Sequence, residues 1–132
     1  MEIDFQKSGG LVPAIIQDER NGEVLMLGFM NAESLAETRR TGEVVFFSRS
    51  RNKLWKKGES SGHVLWVREM RVDCDADALL VRVEAVGPGV CHEGYRSCFF
   101  RSIEHDGNAR IITERTFMPE KVYGKEKSRL AG

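Results

Sequence analysis

The stretch AIIQDERNGEVLMLG, residues 14–28, decides the architecture. Two apolar runs, 14–17 and 23–28, are separated by Asn21-Gly22, a dipeptide that tolerates positive φ at both centres of a type I′ turn. This predicts a β-hairpin. Moving outward, Asn31 is placed to cap a helix, with Glu33 in its first turn and Leu35 and Ala36 facing inward. Arg39 and Arg40 fall in the last turn and Gly42 lies just past the end, so the helix is expected over residues 32–41. Beyond it the chain reads as extended. Residues 44–47 are β-branched and aromatic, residues 63–72 mix Val, Leu and Trp with charges, and residues 79–86 alternate. In that last run Leu79, Val81, Val83 and Ala85 share one face, with Arg82 and Glu84 on the other. Residues 99–104 and 109–114 flank His105-Asp106-Gly107-Asn108 as a further hairpin, and the lysine-rich residues 119–132 read as a helix or a frayed tail. The expected fold is α+β, a mainly antiparallel β domain with one or two short helices. With no repeat and no Pro/Ser-rich linker, one domain is expected over residues 1–132.

Composition narrows the function. Twenty basic residues offset twenty acidic ones, a balance that disfavours a duplex-DNA binder held by phosphate attraction. The apolar run at 24–30 is far short of the roughly 20 residues a bilayer span requires, so no membrane partner is expected. The acidic start Met1-Glu2-Ile3-Asp4 has no apolar core of signal-peptide type, which points to a cytoplasmic protein. Three cysteines cannot all pair within one chain. Reduced thiols serving a metal or chemistry are the expectation.

Three clusters carry that chemistry. In Asp73-Cys74-Asp75-Ala76-Asp77, an extended backbone would place the three carboxylates on one side and Cys74 on the other. Carboxylates so placed repel unless solvated or sharing a hard cation such as Mg²⁺ or Ca²⁺, whereas a thiolate suits Zn²⁺. The plain alternative is an acidic turn with Cys74 packed as a small hydrophobe. Cys91 and Cys98, with six residues between them, do not match a zinc-finger knuckle. Together with Cys74 they supply three thiolates, and a fourth position left to water is the pattern of a catalytic zinc. Buried thiols, or a site closed by His63, His92 or His105, are the alternatives. The third cluster is basic, Ser48-Arg49-Ser50-Arg51 and then Lys56 to His63, and suits phosphate oxygens, although a solvated hairpin loop has the same composition. Trp55 within it either stacks on a base or covers core.

Taken in order, Leu25-Met26-Leu27-Gly28-Phe29-Met30-Asn31, Ser48-Arg49-Ser50-Arg51, Leu54-Trp55-Lys56-Lys57-Gly58-Glu59, Ser61-Gly62-His63, the 73–80 segment and Cys91-His92 through Cys98-Phe99 resemble the phosphoribosyl-AMP cyclohydrolases of histidine biosynthesis. Leu65 and Glu93 depart from the family's usual glutamine and threonine. The resemblance implies a homodimer that hydrolyses the N1–C6 bond of N1-(5-phosphoribosyl)-AMP, with metal sites at the dimer interface. It implies Zn²⁺ on Cys91, Cys98 and Cys74 of the partner subunit, and Mg²⁺ on Asp73, Asp75 and Asp77. His92 is the candidate general base, the alternative being that it orients a ligand. Arg49, Arg51, Lys57, Ser61 and His63 are the candidate substrate-binding residues, with His63 serving either substrate or loop. A zinc nucleotide deaminase would need a His-x-Glu and Pro-Cys-x-x-Cys signature that the chain lacks. A zinc-stabilised single-stranded nucleic-acid module using Arg49, Arg51, Trp55, Lys56 and Lys57 would need more exposed aromatics and net positive charge. No nucleic-acid partner is expected.

Overall fold

A computed structural model describes residues 2–122. In β1 (Val12–Asp18) every second residue, Val12, Ala14, Ile16 and Asp18, is buried, the pleat turning that face to the core. It pairs antiparallel with β2 (Val24–Met30), Ile15 opposite Leu27. The hairpin is present, but its turn is not type I′. Only Gly22 takes positive φ, at 79°, while Asn21 stays outside the left-handed region. The Asn21 side chain instead accepts from the Glu23 N–H at 2.9 Å, and Gly22 N–H donates to the Asp18 carbonyl at 2.9 Å. A side-chain acceptor thus does the work that a left-handed backbone would do in a two-residue turn.

α1 (Ala32–Thr41) begins and ends where its caps dictate. Asn31 accepts from Ser34 N–H at 2.8 Å, Ser34 returns the bond to the Asn31 N–H, and Gly42 closes the helix at φ 78°. The inward face differs from expectation. Ser34 and Thr38 are buried, Leu35 is half-buried and Ala36 is exposed. The reason is a specific bond network: Thr38 Oγ1 donates to the Ser34 carbonyl at 2.8 Å and accepts from the Val45 N–H at 3.0 Å, tying helix to strand. Hydroxyls satisfied in this way can be buried at little cost.

β3 (Val45–Ser48) and β4 (Lys53–Lys56) form a separate antiparallel hairpin, so part of the basic loop is in fact a strand. β5 (Leu65–Val72) and β6 (Leu79–Ala85) complete the main sheet, in the order β2-β1-β6-β5. The one parallel pair in it is β1 with β6, and the chain between them supplies the long crossover such pairing needs. The core gathers Val12, Ala14, Ile16, Leu25, Met30, Val44, Phe46, Leu65, Val81 and Val83. Phe46 lies across Gly28 so closely that a Cβ there would stand 2.5 Å from the ring, and Trp55 stacks on Phe46 with ring centroids 5.4 Å apart. β7 (Arg101–Ile103) and β8 (Ala109–Ile111) form the second expected hairpin, shorter than anticipated, with Ile103, Ile111 and Ile112 exposed. α2 (Pro119–Val122) is a short helix at the start of the segment read as a helix or a frayed tail. The remainder of that segment, 123–132, lies outside the described residues. Among the described residues no helix is long and apolar enough to cross a membrane.

Candidate active site

β6 leads into Gly87-Pro88-Gly89, a turn compressed against His63. Gly87 sits at φ 98°, where a Cβ would meet the His63 ring at 2.5 Å, so glycine is required on both counts. His63 Nδ1 lies 3.1 Å from the Gly89 carbonyl, and its ring meets Phe117 edge-on at 5.2 Å. The following loop then folds on itself. Cys91 N–H donates to the Tyr95 carbonyl at 3.1 Å and Gly94 N–H to the Cys91 carbonyl at 3.0 Å. This curl brings Cys98 back beside Cys91, close enough for their side chains to share a hydrogen bond.

The loop is fastened from two sides. Arg96 reaches both Asp18 and Glu23, Ser97 Oγ donates to the Val24 carbonyl at 2.7 Å, and Cys98 N–H donates to the Leu25 carbonyl at 2.7 Å. Arg115 Nε donates to the Glu93 carbonyl at 2.8 Å on the outer side. Arg96 was not read from the sequence, where nothing but a charge between two cysteines marks it. Asp18 is fully buried. Burial pushes its carboxyl up, but the bonds from Arg20 and Arg96 outweigh this and hold it below the ordinary carboxylate range.

The Cys98 hydrogen bond draws the Cys91 thiol down to about 6, while Cys98, which keeps the proton, is pushed up. Paired thiols of which one ionises near neutrality have the donor chemistry of a soft ion such as Zn²⁺. Lys57 lies beside them, only 7% exposed, with Nζ donating to the Val90 carbonyl at 2.6 Å. Burial lowers its affinity for the proton, and the charges at Cys98 and Cys91 oppose that shift.

A cavity of about 320 Å³ opens next to this loop. Ser48, Ser50 and Arg51 from the end of β3 and the turn after it line one side, Trp55 and Lys57 another, and the 58–61 loop with His92 the rest. Of the candidate substrate-binding residues, Arg51, Lys57 and Ser61 therefore converge with His92. Arg49 turns instead onto the Phe29 ring, 4.0 Å from its centroid, and lines a neighbouring shallower hollow. His63 lines neither and packs behind the 87–89 turn. Ser48, Ser50, Glu59 and Ser60 also line the cavity. Their only sequence signal was membership of the polar loop.

The aspartates lie elsewhere, in the β5–β6 turn. The segment is not extended: Ala76 takes φ 63°, and Asp73 Oδ1 accepts from the N–H groups of Asp77 at 3.0 Å and Ala78 at 3.1 Å. This tight turn, and not the pleat, gathers the carboxylates, with ligand atoms of Asp73, Asp75 and Asp77 all within 4.8 Å of one another. Lys7, 68 residues away from Asp75 in sequence, places its ammonium 2.8 Å from Asp75 and 3.2 Å from Asp77. That contact holds Asp75 down at about 2, while the hydrogen bond that Asp77 shares with Asp75 raises Asp77. Oxygen donors so arranged have the chemistry of a hard cation site. Cys74 is exposed in the same turn. It stands at the opposite end of β6 from Cys91, a strand roughly 20 Å long at about 3.3 Å per residue. Among the described residues the three cysteines form no common cluster within one chain.

Residues 26–100 match the family model described as phosphoribosyl-AMP cyclohydrolase. A protein of that name from Solibacter usitatus is 57% identical over 124 residues, covering 94% of this chain and 98% of the relative. Another from Desulforapulum autotrophicum is 51% identical, covering 93% and 98% respectively, and one from Nitratidesulfovibrio vulgaris 53%, covering 91% and 94%. A family match that takes in the β3–β4 hairpin, the aspartate turn and the cysteine loop, together with relatives matched over almost their whole length, means that the chain belongs to the phosphoribosyl-AMP cyclohydrolase family.

Proposed function

We propose that this chain is a phosphoribosyl-AMP cyclohydrolase of histidine biosynthesis. Water adds at C6 of N1-(5-phosphoribosyl)-AMP and the N1–C6 bond breaks, giving the phosphoribosyl-formimino-AICAR ribonucleotide. The observation that carries this reading, in a chain of that family, is one cavity that presents His92, Arg51 and Ser61 beside the paired thiols of Cys91 and Cys98.

Cys91 and Cys98 hold Zn²⁺ together with Cys74 of the partner subunit, since a chain's own Cys74 is carried at the far end of β6. A homodimer with two equivalent sites follows. The exposed Ile103, Ile111 and Ile112 offer apolar surface of the kind such assembly buries. Asp73, Asp75 and Asp77 hold Mg²⁺. When bound, the zinc supplies Lewis acidity that brings the pKa of water toward neutrality. His92, adjacent to Cys91 and facing the cavity, takes the proton of the attacking water and returns one to N1 as the ring opens. Arg51 and Ser61 bind phosphate oxygens within the cavity and Arg49 covers charge at its neighbouring hollow. His63 serves the loop, holding the turn that carries Cys91.

The test is the ultraviolet spectrum of phosphoribosyl-AMP incubated with purified protein, with and without a zinc chelator. Ring opening that stops on chelation is the expected result. Ammonia release would identify a deaminase, and absence of reaction in the metal-loaded protein would sink the enzymatic reading.

A further inference from the structure

Lys57 looks in sequence like a third phosphate-binding cation beside Arg49 and Arg51, but its placement differs from theirs. Its backbone N–H donates to the Val44 carbonyl at 3.1 Å, anchoring it to the core, and its ammonium is buried. The acceptor it reaches is the carbonyl of Val90, at 2.6 Å, the residue immediately before Cys91. The sulfurs of Cys98 and Cys91 act on it electrostatically. Its Nζ also lies 5.6 Å from the Trp55 ring centroid, within reach of a cation–π contact.

A buried ammonium loses its hydration and needs compensating negative charge. One carbonyl offers only part of that. Three thiolates around a divalent ion carry one net negative charge, and an ammonium fixed against their loop neutralises it. We propose that Lys57 is a positioning residue for the zinc site: its bond to Val90 sets the start of the 91–98 loop, and its charge offsets that of the ligating thiolates. The proposal rests on the reading of Cys91 and Cys98 as zinc ligands. It removes Lys57 from the set of phosphate-binding cations.

The test compares the full-length wild-type protein with Lys57→Met, Lys57→Gln and Arg51→Met. Zinc affinity is measured by competition with a chromogenic chelator, and KM and kcat are measured at saturating zinc. Gln keeps a donor for the Val90 carbonyl without the charge, so Lys57→Gln carries the test if Lys57→Met does not fold. Both Lys57 variants are expected to lose zinc affinity by about 10- to 100-fold. KM for phosphoribosyl-AMP should stay near the wild-type value in both, while Arg51→Met shows the converse, a raised KM with zinc affinity intact. In Co²⁺-loaded protein the thiolate charge-transfer band should shift in Lys57→Gln and stay in place in Arg51→Met. Unchanged zinc affinity in Lys57→Gln, or a raised KM as its main defect, overturns the proposal. Wild-type protein that fails to bind zinc overturns the underlying ligand assignment instead, and does so before any variant is made.

Discussion

Arg96→Met tests whether the cysteine loop is held by one buried charge. Arg96 bonds Asp18, which is fully buried, and Glu23, which is not. Removing one partner of a buried ion pair costs about 3–5 kcal/mol when the other is left alone. Asp18 is not left alone, because Arg20 still supplies its backbone N–H at 2.8 Å and its side chain at 3.3 Å. The loss is therefore nearer 2–3 kcal/mol, about that of one hydrogen bond between charged groups. At an unfolding entropy of about 2.1 cal/mol/K per residue this lowers Tm by roughly 7–11 °C near neutral pH. The pH dependence follows from the sign of the Asp18 shift. Its carboxyl is held below the ordinary 3.8, so its stabilisation is full above that pH and is lost as pH falls through the lower native value. The gap in Tm between wild type and variant should consequently narrow as pH falls below about 4. Calorimetry from pH 7 down to the acid limb checks this. A gap under about 2 °C at neutrality, or one that stays constant into acid, refutes the assignment of Asp18–Arg96 as the clamp.

Gly28→Ala drives a methyl against the Phe46 ring and should destabilise by about 1–3 kcal/mol, read by urea denaturation. Thr38→Val leaves the Val45 N–H without its acceptor and should cost about 1–3 kcal/mol, with faster amide exchange at the α1–β3 junction. His92→Ala should lower kcat by about 10²–10⁴ with zinc still bound, and near-normal turnover in that state would remove it as general base. Mixing equal amounts of Cys74→Ser and Cys91→Ser chains, each inactive alone, should restore about one quarter of wild-type activity, since half of the random dimers then hold one intact shared site. No recovery on mixing would count against a zinc site shared between subunits.

α1 was legible to the residue because its limits are set by bonds between near neighbours, Asn31 to Ser34 and Gly42 to Thr38. Its buried face was not, because Ser34 and Thr38 are inside for the sake of Val45, across a tertiary contact. The β1–β2 hairpin was legible as a hairpin from Asn21-Gly22 between two apolar runs, while the choice of the Asn21 side chain over its backbone as turn-former was not, because asparagine suits both roles. β4 was hidden inside a basic run, since Lys53 and Lys56 look like loop until pairing with β3 turns Trp55 onto Phe46.

At the site, the types and spacing of Asp73, Asp75, Asp77, Cys74, Cys91 and Cys98 already named the donor chemistry, because ligand hardness belongs to each side chain wherever it sits. Family membership was likewise legible from the ordered motifs. What only the tertiary structure decided is which groups share a space: Cys91 with Cys98 and Lys57, Arg96 with Asp18, Lys7 with Asp75, and Cys74 apart from the other thiols. Those pairings depend on a parallel β1–β6 contact and a loop clamped across the hairpin, held by burial and long-range bonds that no local stretch encodes.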